Sequence, residues 1–437
     1  MSVYVLLILT ILEFLFAMSV FRGDYLQPAV IFSLVFAIAS FDLCLMKDFW
    51  KVSLSTTTLI VVSGGIFVFV IFSMFAEVLF NRFKIRKVNF IKLERKLINV
   101  DDFLCRILLV IYIVTIIIAC RYVIQIARMY GGTGGVGTLI GIYNGLLKGG
   151  TMDDISYPFY IQILVDCCEL CSYVWGYIII NNFSVNRKFN KMYVILFVLG
   201  IVVSLESGSR GDALSIIFSF IFMAVLIFRK TRGERRLSPK YYMYAVLIIV
   251  VSIITFQSVG TSLGRDSDLF TPFEYISIYL GAPILNLDIM IERLGGCNTS
   301  FFNYTFSGLY SSLGRIFGIH EWLNFCDPMI HLSSNGHRTG NVATTFMAYY
   351  YDAGLIGVFI LTALMAILMQ KMYKSCIYDR TLNVSYKTIF YTYFIFLTAR
   401  SFFSNSLFNA IQLSLIKLIL IIIVESRYLP KIHFKRI

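Results

Sequence analysis

The chain has 437 residues, of which 58% are hydrophobic and 14% charged, with a mean hydropathy of +0.79 and a formal net charge of +13. A soluble domain carries about 25% charged residues, so a chain this long cannot cover a water-facing surface and most of its exterior must face lipid. Composition excludes a soluble globular protein, and the basic excess has to be read loop by loop before it is taken as a nucleic-acid signal.

A helix needs about 20 apolar residues to span the hydrocarbon core. Eleven runs fit that requirement in chain order: 2–21, 26–46, 55–80, 103–125, 157–181, 192–206, 212–228, 241–258, 343–370, 385–403 and 406–424. The first lacks a basic leader and is interrupted by Glu13, which marks a transmembrane helix and not a cleaved signal peptide. The sixth is short and ends at a Ser-Gly-rich break. The sequence therefore predicts an all-α, polytopic membrane bundle. It forms a single membrane domain over 1–437, with about eleven transmembrane helices (10–12) and one large external loop.

Loop charge orients the runs. Segments 82–96, 187–191, 229–240, 371–387 and 427–436, with Arg22, hold 25 of the 38 Lys and Arg residues. Alternating eleven spans puts all of them on one side, with the N-terminus outside and the C-terminus cytoplasmic. The basic excess is thereby a topology signal, and no nucleic-acid partner is expected.

Two external loops are long. The first, 126–156, has nine glycines, including Gly131-Gly132-Thr133-Gly134-Gly135-Val136-Gly137. Without a strand–loop–helix setting this is a flexible turn into an interfacial or re-entrant segment, 138–147, more than a phosphate cradle. The second, 259–342, contains interfacial helical segments. Its piece 275–294 is apolar, but it carries Pro283, Asp288, Glu292 and Arg293, and counting it as a span would invert the charge pattern downstream.

Most of the nine cysteines lie in or beside apolar runs and behave as small hydrophobes, while Cys297 and Cys326 share the large loop and can pair if it is oxidised. Cys168 and Cys171 form a C-x-x-C without histidine support, His320, His331 and His337 lack ligand spacing, and no metal or other cofactor is expected. Asp266-Ser267-Asp268 is an isolated acid-x-acid pair. Asp166 and Glu169 share a face of the fifth span, with Lys417 in the last span a natural ion-pair partner; structural glue and a proton or ion pathway both remain open.

The most informative stretch is Leu205-Glu206-Ser207-Gly208-Ser209-Arg210-Gly211-Asp212, at an external membrane boundary. Arg210 is either a phosphate-binding guanidinium at a cavity mouth or a helix-end anchor paired with Glu206 or Asp212. Arg121, Arg265, Arg315, Arg338 and Arg400 also fall on the external side, and several converging would form an anion-binding cavity. His337, beside Arg338, suits a general base or a hydrogen-bond partner for a sugar.

Three motifs carry a family resemblance: Ser207-Gly208-Ser209-Arg210-Gly211 opening a span, Gly336-His337-Arg338-Thr339-Gly340-Asn341 leading into the ninth, and Tyr349-Tyr350-Tyr351-Asp352-Ala353-Gly354-Leu355-Ile356-Gly357 within it. With one dominant external loop late in the chain, the arrangement resembles the bacterial O-antigen polymerase (Wzy) family of oligosaccharide repeat-unit polymerases. The Arg-x10-Gly repeats of some members are absent. The resemblance implies a bacterial inner-membrane glycosyltransferase of lipopolysaccharide-type polysaccharide biosynthesis. It would transfer a growing glycan from undecaprenyl diphosphate to a sugar hydroxyl of an incoming lipid-linked repeat unit. It further implies partners in the lipid bilayer, including a chain-length regulator and a flippase of the same pathway. Arg210, Arg265, Arg315, Arg338 and Arg400 are then candidates for binding diphosphate or sugar, and His337 or Glu206 for the base. An O-antigen ligase-like enzyme, or a lipid-linked oligosaccharide flippase, is the alternative reading.

Overall fold

A computed structural model describes residues 1–82, 93–148, 155–208, 210–234, 271–294, 302–319 and 332–431, with single residues at 238, 240, 243, 247, 258, 260, 261 and 322. Helices dominate, in this order: α1 (Ser2–Val20), α2 (Pro28–Leu45), α3 (Lys47–Trp50), α4 (Thr56–Arg82), α5 (Asp102–Met129), α6 (Val136–Lys148), α7 (Phe159–Asn186), α8 (Lys191–Leu205), α9 (Arg210–Arg232), α10 (Pro272–Leu280), α11 (Ala282–Leu294) and α12 (Ser307–Phe317). A hairpin of β1 (Leu332–Ser334) and β2 (His337–Gly340) follows. Next come α13 (Thr345–Ile377), α14 (Tyr386–Ala399), a 3-10 turn (Arg400–Phe402), α15 (Ser406–Asn409) and α16 (Leu413–Tyr428).

The all-α, polytopic reading holds. Among the described residues seven helices are long and apolar enough to cross a membrane, or eight if the pair α10–α11, bent by 52°, counts as one. That pair is the apolar 275–294 piece. Of the expected span 241–258 only residues 243, 247 and 258 are described. Helix α6 occupies the expected segment after the glycine-rich turn, and α8 is a shorter apolar helix, as its sequence foretold.

The run 406–424 is not one helix. Asn409 accepts hydrogen bonds from the Ser307 hydroxyl (2.9 Å) and the Gly308 amide (3.0 Å), and the Leu413 amide donates to Ser312 Oγ (3.4 Å). These bonds to α12 replace helical ones across the break, a competition that polar side chains commonly win over helix propensity.

The chain forms two compact units. The first comprises Met1–Val88, Phe273–Tyr378 and Phe394–Ile416. Its centre is the packing of α4 against α13, with α1 and α2 alongside. Phe32 stacks on Phe69 (4.1 Å between centroids) and Phe36 on Phe346 (5.1 Å). Gly65 lets α4 approach, since a Cβ there would lie 2.4 Å from the Phe346 ring. Helix α13 is interrupted at Ala353 (φ −148°, ψ 25°) and Gly354 (φ 58°, ψ −149°), a left-handed position that suits glycine. Its first two turns are buried, and Asp352 at the break accepts from the Thr305 amide (2.7 Å) and the Tyr304 amide (3.3 Å). Two further aspartates pin the bent pair: Asp42 accepts from Ser277 (2.9 Å), and Asp288 accepts from the Ser55 amide (2.9 Å), Ser55 Oγ (2.7 Å) and Thr58 Oγ1 (2.6 Å).

The second unit comprises Asn89–Pro272, Asp379–Tyr393 and Lys417–Ile437. It is built on α7, whose C-terminal half is almost wholly buried. Ser172 occupies the space that a side chain at Gly200 of α8 would need. An extended strap, 93–101, crosses the end of α7. Asn182 donates to the Ile98 carbonyl and accepts from its amide (both 2.8 Å), Asn181 donates to the Lys96 carbonyl (2.8 Å), and Tyr193 accepts from the Val100 amide (2.9 Å). Arg95, also buried, donates to Tyr177 (2.8 Å) and Asn181 (3.0 Å). The strap ends at Asp101, which caps α5 by accepting from the Phe103 and Leu104 amides. Lys417 pairs with Asp166, the partnership that the sequence suggested. Burial works to raise the Asp379 carboxyl, but hydrogen bonds from Ser385 and Thr381 and the nearby Lys230 outweigh it and hold Asp379 below the usual aspartate range.

Gly65→Val is expected to force the Phe346 ring out of its packed position and to cost about 1–3 kcal/mol. Thermal unfolding in detergent should show a lower midpoint. Gly145→Ala, where a Cβ meets nothing within 4 Å, should leave it unchanged or raised.

Candidate functional site

In the second unit, the break between α8 and α9 presents Glu206 and Arg210. The chain turns at Gly208, whose φ of +74° favours glycine. A Cβ there would also lie 2.9 Å from Asn144 of α6. Asn144 donates to the Ser207 carbonyl (2.9 Å), so α6 is fastened over the break. Glu206 and Arg210 are each 4% exposed. Arg210 therefore does not send its head into open solvent as a snorkelling anchor would. Both carboxylate oxygens of Glu206 are buried without a hydrogen-bond partner among the described residues, so Glu206 is not the ion-pair partner of Arg210. Burial pushes the Glu206 carboxyl, which lies outside both helices, up to about 8. A cation in the first turn of a helix also opposes the helix dipole. Arg210 sits buried at the N-terminal end of α9.

In the first unit, His337 and Arg338 lie on the β1–β2 hairpin. Its turn is Asn335-Gly336, both residues at positive φ (52° and 76°), the type I′ pattern that Asn-Gly favours. That dipeptide was the sequence signal for a hairpin in what otherwise reads as loop. The tip rests on the connection after α2. Ser334 donates to the Trp50 carbonyl (2.8 Å), Asn335 to the Phe49 carbonyl (3.1 Å), and the His337 ring lies on Phe49 with centroids 3.9 Å apart. At the base, buried Asn286 of α11 donates to the carbonyls of Thr339 (2.9 Å) and Val342 (2.7 Å). His337 and Arg338 are exposed.

Arg400 forms the 3-10 turn after α14, half-buried, with its guanidinium 5.7 Å from the ring centroids of both Phe396 and Phe403. Such flanking aromatic faces hold the planar cation by cation–π attraction. Arg315 is exposed near the end of amphipathic α12, beside exposed Ile316 and Phe317. Arg265, Asp266, Asp268, His320, His331, Cys297 and Cys326 lie outside the described residues. The structure thus joins His337 to Arg338 on one strand and Glu206 to Arg210 at one break. Arg315 and Arg400 occupy separate elements. Asn144, Asn286 and Phe49, which set these elements in place, carry no signal in the sequence because their partners are distant along the chain. Among the described residues no group of three or more His, Cys, Asp or Glu side chains could hold a metal ion.

Long apolar helices, two of them joined in a bent pair and one interrupted, define a polytopic membrane protein. Over residues 154–432 the chain matches the O-antigen polysaccharide polymerase Wzy family, and it belongs to that family. It is therefore a multi-pass bacterial inner-membrane protein, a glycosyltransferase-type polymerase whose substrates are lipid-linked oligosaccharides. Comparison with curated proteins and with solved structures finds no match.

Gly208→Val should strain the turn and drive into Asn144, displacing α6 from the break. The expected result is a lower unfolding midpoint, by the equivalent of about 1–3 kcal/mol, together with shortened polymer in cells carrying the variant.

Proposed function

We propose that this protein extends a polysaccharide by transferring the growing glycan from undecaprenyl diphosphate to a sugar hydroxyl of the next lipid-linked repeat unit. The observation that carries this reading is the buried Glu206 and Arg210 at a covered helix break within the family-matched region. The acceptor oxygen attacks the anomeric carbon of the donor glycan. The bond from that carbon to the diphosphate oxygen breaks, the electron pair leaves with undecaprenyl diphosphate, and the acceptor proton passes to a base. Arg210 offers fixed paired donors to the departing diphosphate in a site shielded from water, where such donors act most strongly. Arg265, Arg315, Arg338 and Arg400 are assigned to diphosphate or sugar, and His337 or Glu206 to the base. The reaction runs on the outer face of the membrane, with the N-terminus outside, the C-terminus cytoplasmic, and loops 126–156 and 259–342 external. A flippase supplies the substrate and a chain-length regulator acts on the product.

The test is the surface-glycan profile of cells lacking the gene, with and without the intact protein. A single repeat unit without the protein and a ladder with it supports polymerisation. Finished polymer retained on the lipid carrier indicates a ligase, and repeat units trapped inside indicate a flippase; either overturns the reading. Arg210→Ala should slow polymerisation by about 10²-fold, the usual effect of losing one oxyanion donor. Normal polymer length in that variant removes Arg210 from the mechanism.

The identity of the base is read from pH. A base must be ionised, and a carboxyl raised to about 8 ionises only as pH climbs through that value. With Glu206 as base, polymerisation in reconstituted vesicles rises between roughly pH 7 and 9 and then levels. A rate that does not rise there assigns the proton to another group.

A further inference from the structure

We propose that Phe49 is a positioning residue for His337, so that the connection between α2 and α4 forms part of the catalytic apparatus although it lies outside the family-matched segment 154–432. The inference rests on the reading of His337 as a base or sugar contact. An exposed histidine on a two-stranded hairpin is poorly fixed, because the torsion that turns its ring is broad and roughly two-fold. Here one ring face is taken by Phe49, at 3.9 Å between centroids and a tilt of 34°. Phe49 is itself half-buried, and its own backbone holds the hairpin through its carbonyl oxygen, which accepts from Asn335. The neighbouring Trp50 carbonyl accepts from Ser334, the residue paired with His337 across the hairpin.

The platform is rigid by construction. Trp50 is 1% exposed, and Lys51 turns the chain in the left-handed conformation (φ 49°). Beyond it, the Leu54 amide donates to Ser2 Oγ and the Ser55 amide to Asp288. Fixed on such a base, the Phe49 ring leaves the imidazole its edge nitrogens for hydrogen bonding and one open face. Reacting groups must be held to within a fraction of an ångström, and a misplacement of about 1 Å can cost about 10²-fold in rate.

The test uses the full-length protein in lipid vesicles with lipid-linked repeat units extracted from cells lacking the polymerase. The variants are Phe49→Ala, Phe49→Tyr, His337→Ala and the double Phe49→Ala/His337→Ala. Phe49→Ala is expected to lower kcat about 10-fold with KM little changed, and Phe49→Tyr, which keeps the ring face, to restore it. If Phe49 acts through His337, the double variant is no slower than His337→Ala alone. Losses that multiply in the double variant, or a Phe49→Ala enzyme with wild-type kcat beside a crippled His337→Ala enzyme, overturn the proposal while leaving the role of His337 intact. If His337→Ala polymerises normally, the role of His337 fails, and the positioning role fails with it. A fall in the unfolding midpoint of Phe49→Ala without the ring-dependent rescue of kcat reduces Phe49 to a structural contact and likewise overturns the proposal.

Discussion

Asp288 of α11 accepts three hydrogen bonds from the start of α4, and most of what is distinctive in the first unit depends on contacts of that kind. Within a bilayer an unpaired backbone amide or carbonyl is too costly to leave exposed, so chain that departs from the helix must find its partners inside the protein. This protein supplies them from aspartate and asparagine. Asp42 and Asp288 fix the bent pair, Asp352 takes two loop amides beside the interruption of α13, and Asn286 takes two carbonyls at the base of the hairpin. In the second unit Asn181 and Asn182 do the same for the strap. The apolar helices supply the burial, and these few polar side chains decide where the irregular backbone can exist.

Hydropathy alone located the long helices, because a run of about 20 apolar residues has few alternatives to spanning. The runs beginning at 2, 26, 55, 103 and 157 reappear within a few residues of their expected ends. What composition could not show was interruption. In the run from 343, broken at Ala353 and Gly354, the only local mark is the glycine, while the neighbouring Asp352 takes amides nearly fifty residues away. The last run failed in the same way, through bonds to α12 about a hundred residues distant.

The candidate site was legible in its residue types and opaque in its geometry. Glycine flanked by serines, then arginine, between two apolar runs was enough to single out Glu206 and Arg210. It could not say that the glutamate has no hydrogen-bond partner among the described residues or that α6 covers the turn. The histidine beside an arginine was equally visible, whereas the hairpin that carries it was not expected in a loop read as holding helical segments, although Asn335-Gly336 bears its turn signal. Phe49 was not readable at all, being one aromatic residue among the many in this chain.

Asp352 recognises the Tyr304 and Thr305 amides, groups that every residue except proline possesses. A loop anchored by its main chain keeps its place when its side chains are exchanged. The segment that carries Tyr304 and Thr305 can therefore change its side chains while its attachment to α13 stays constant. Such an arrangement frees the side chains of that segment from the task of holding it in place.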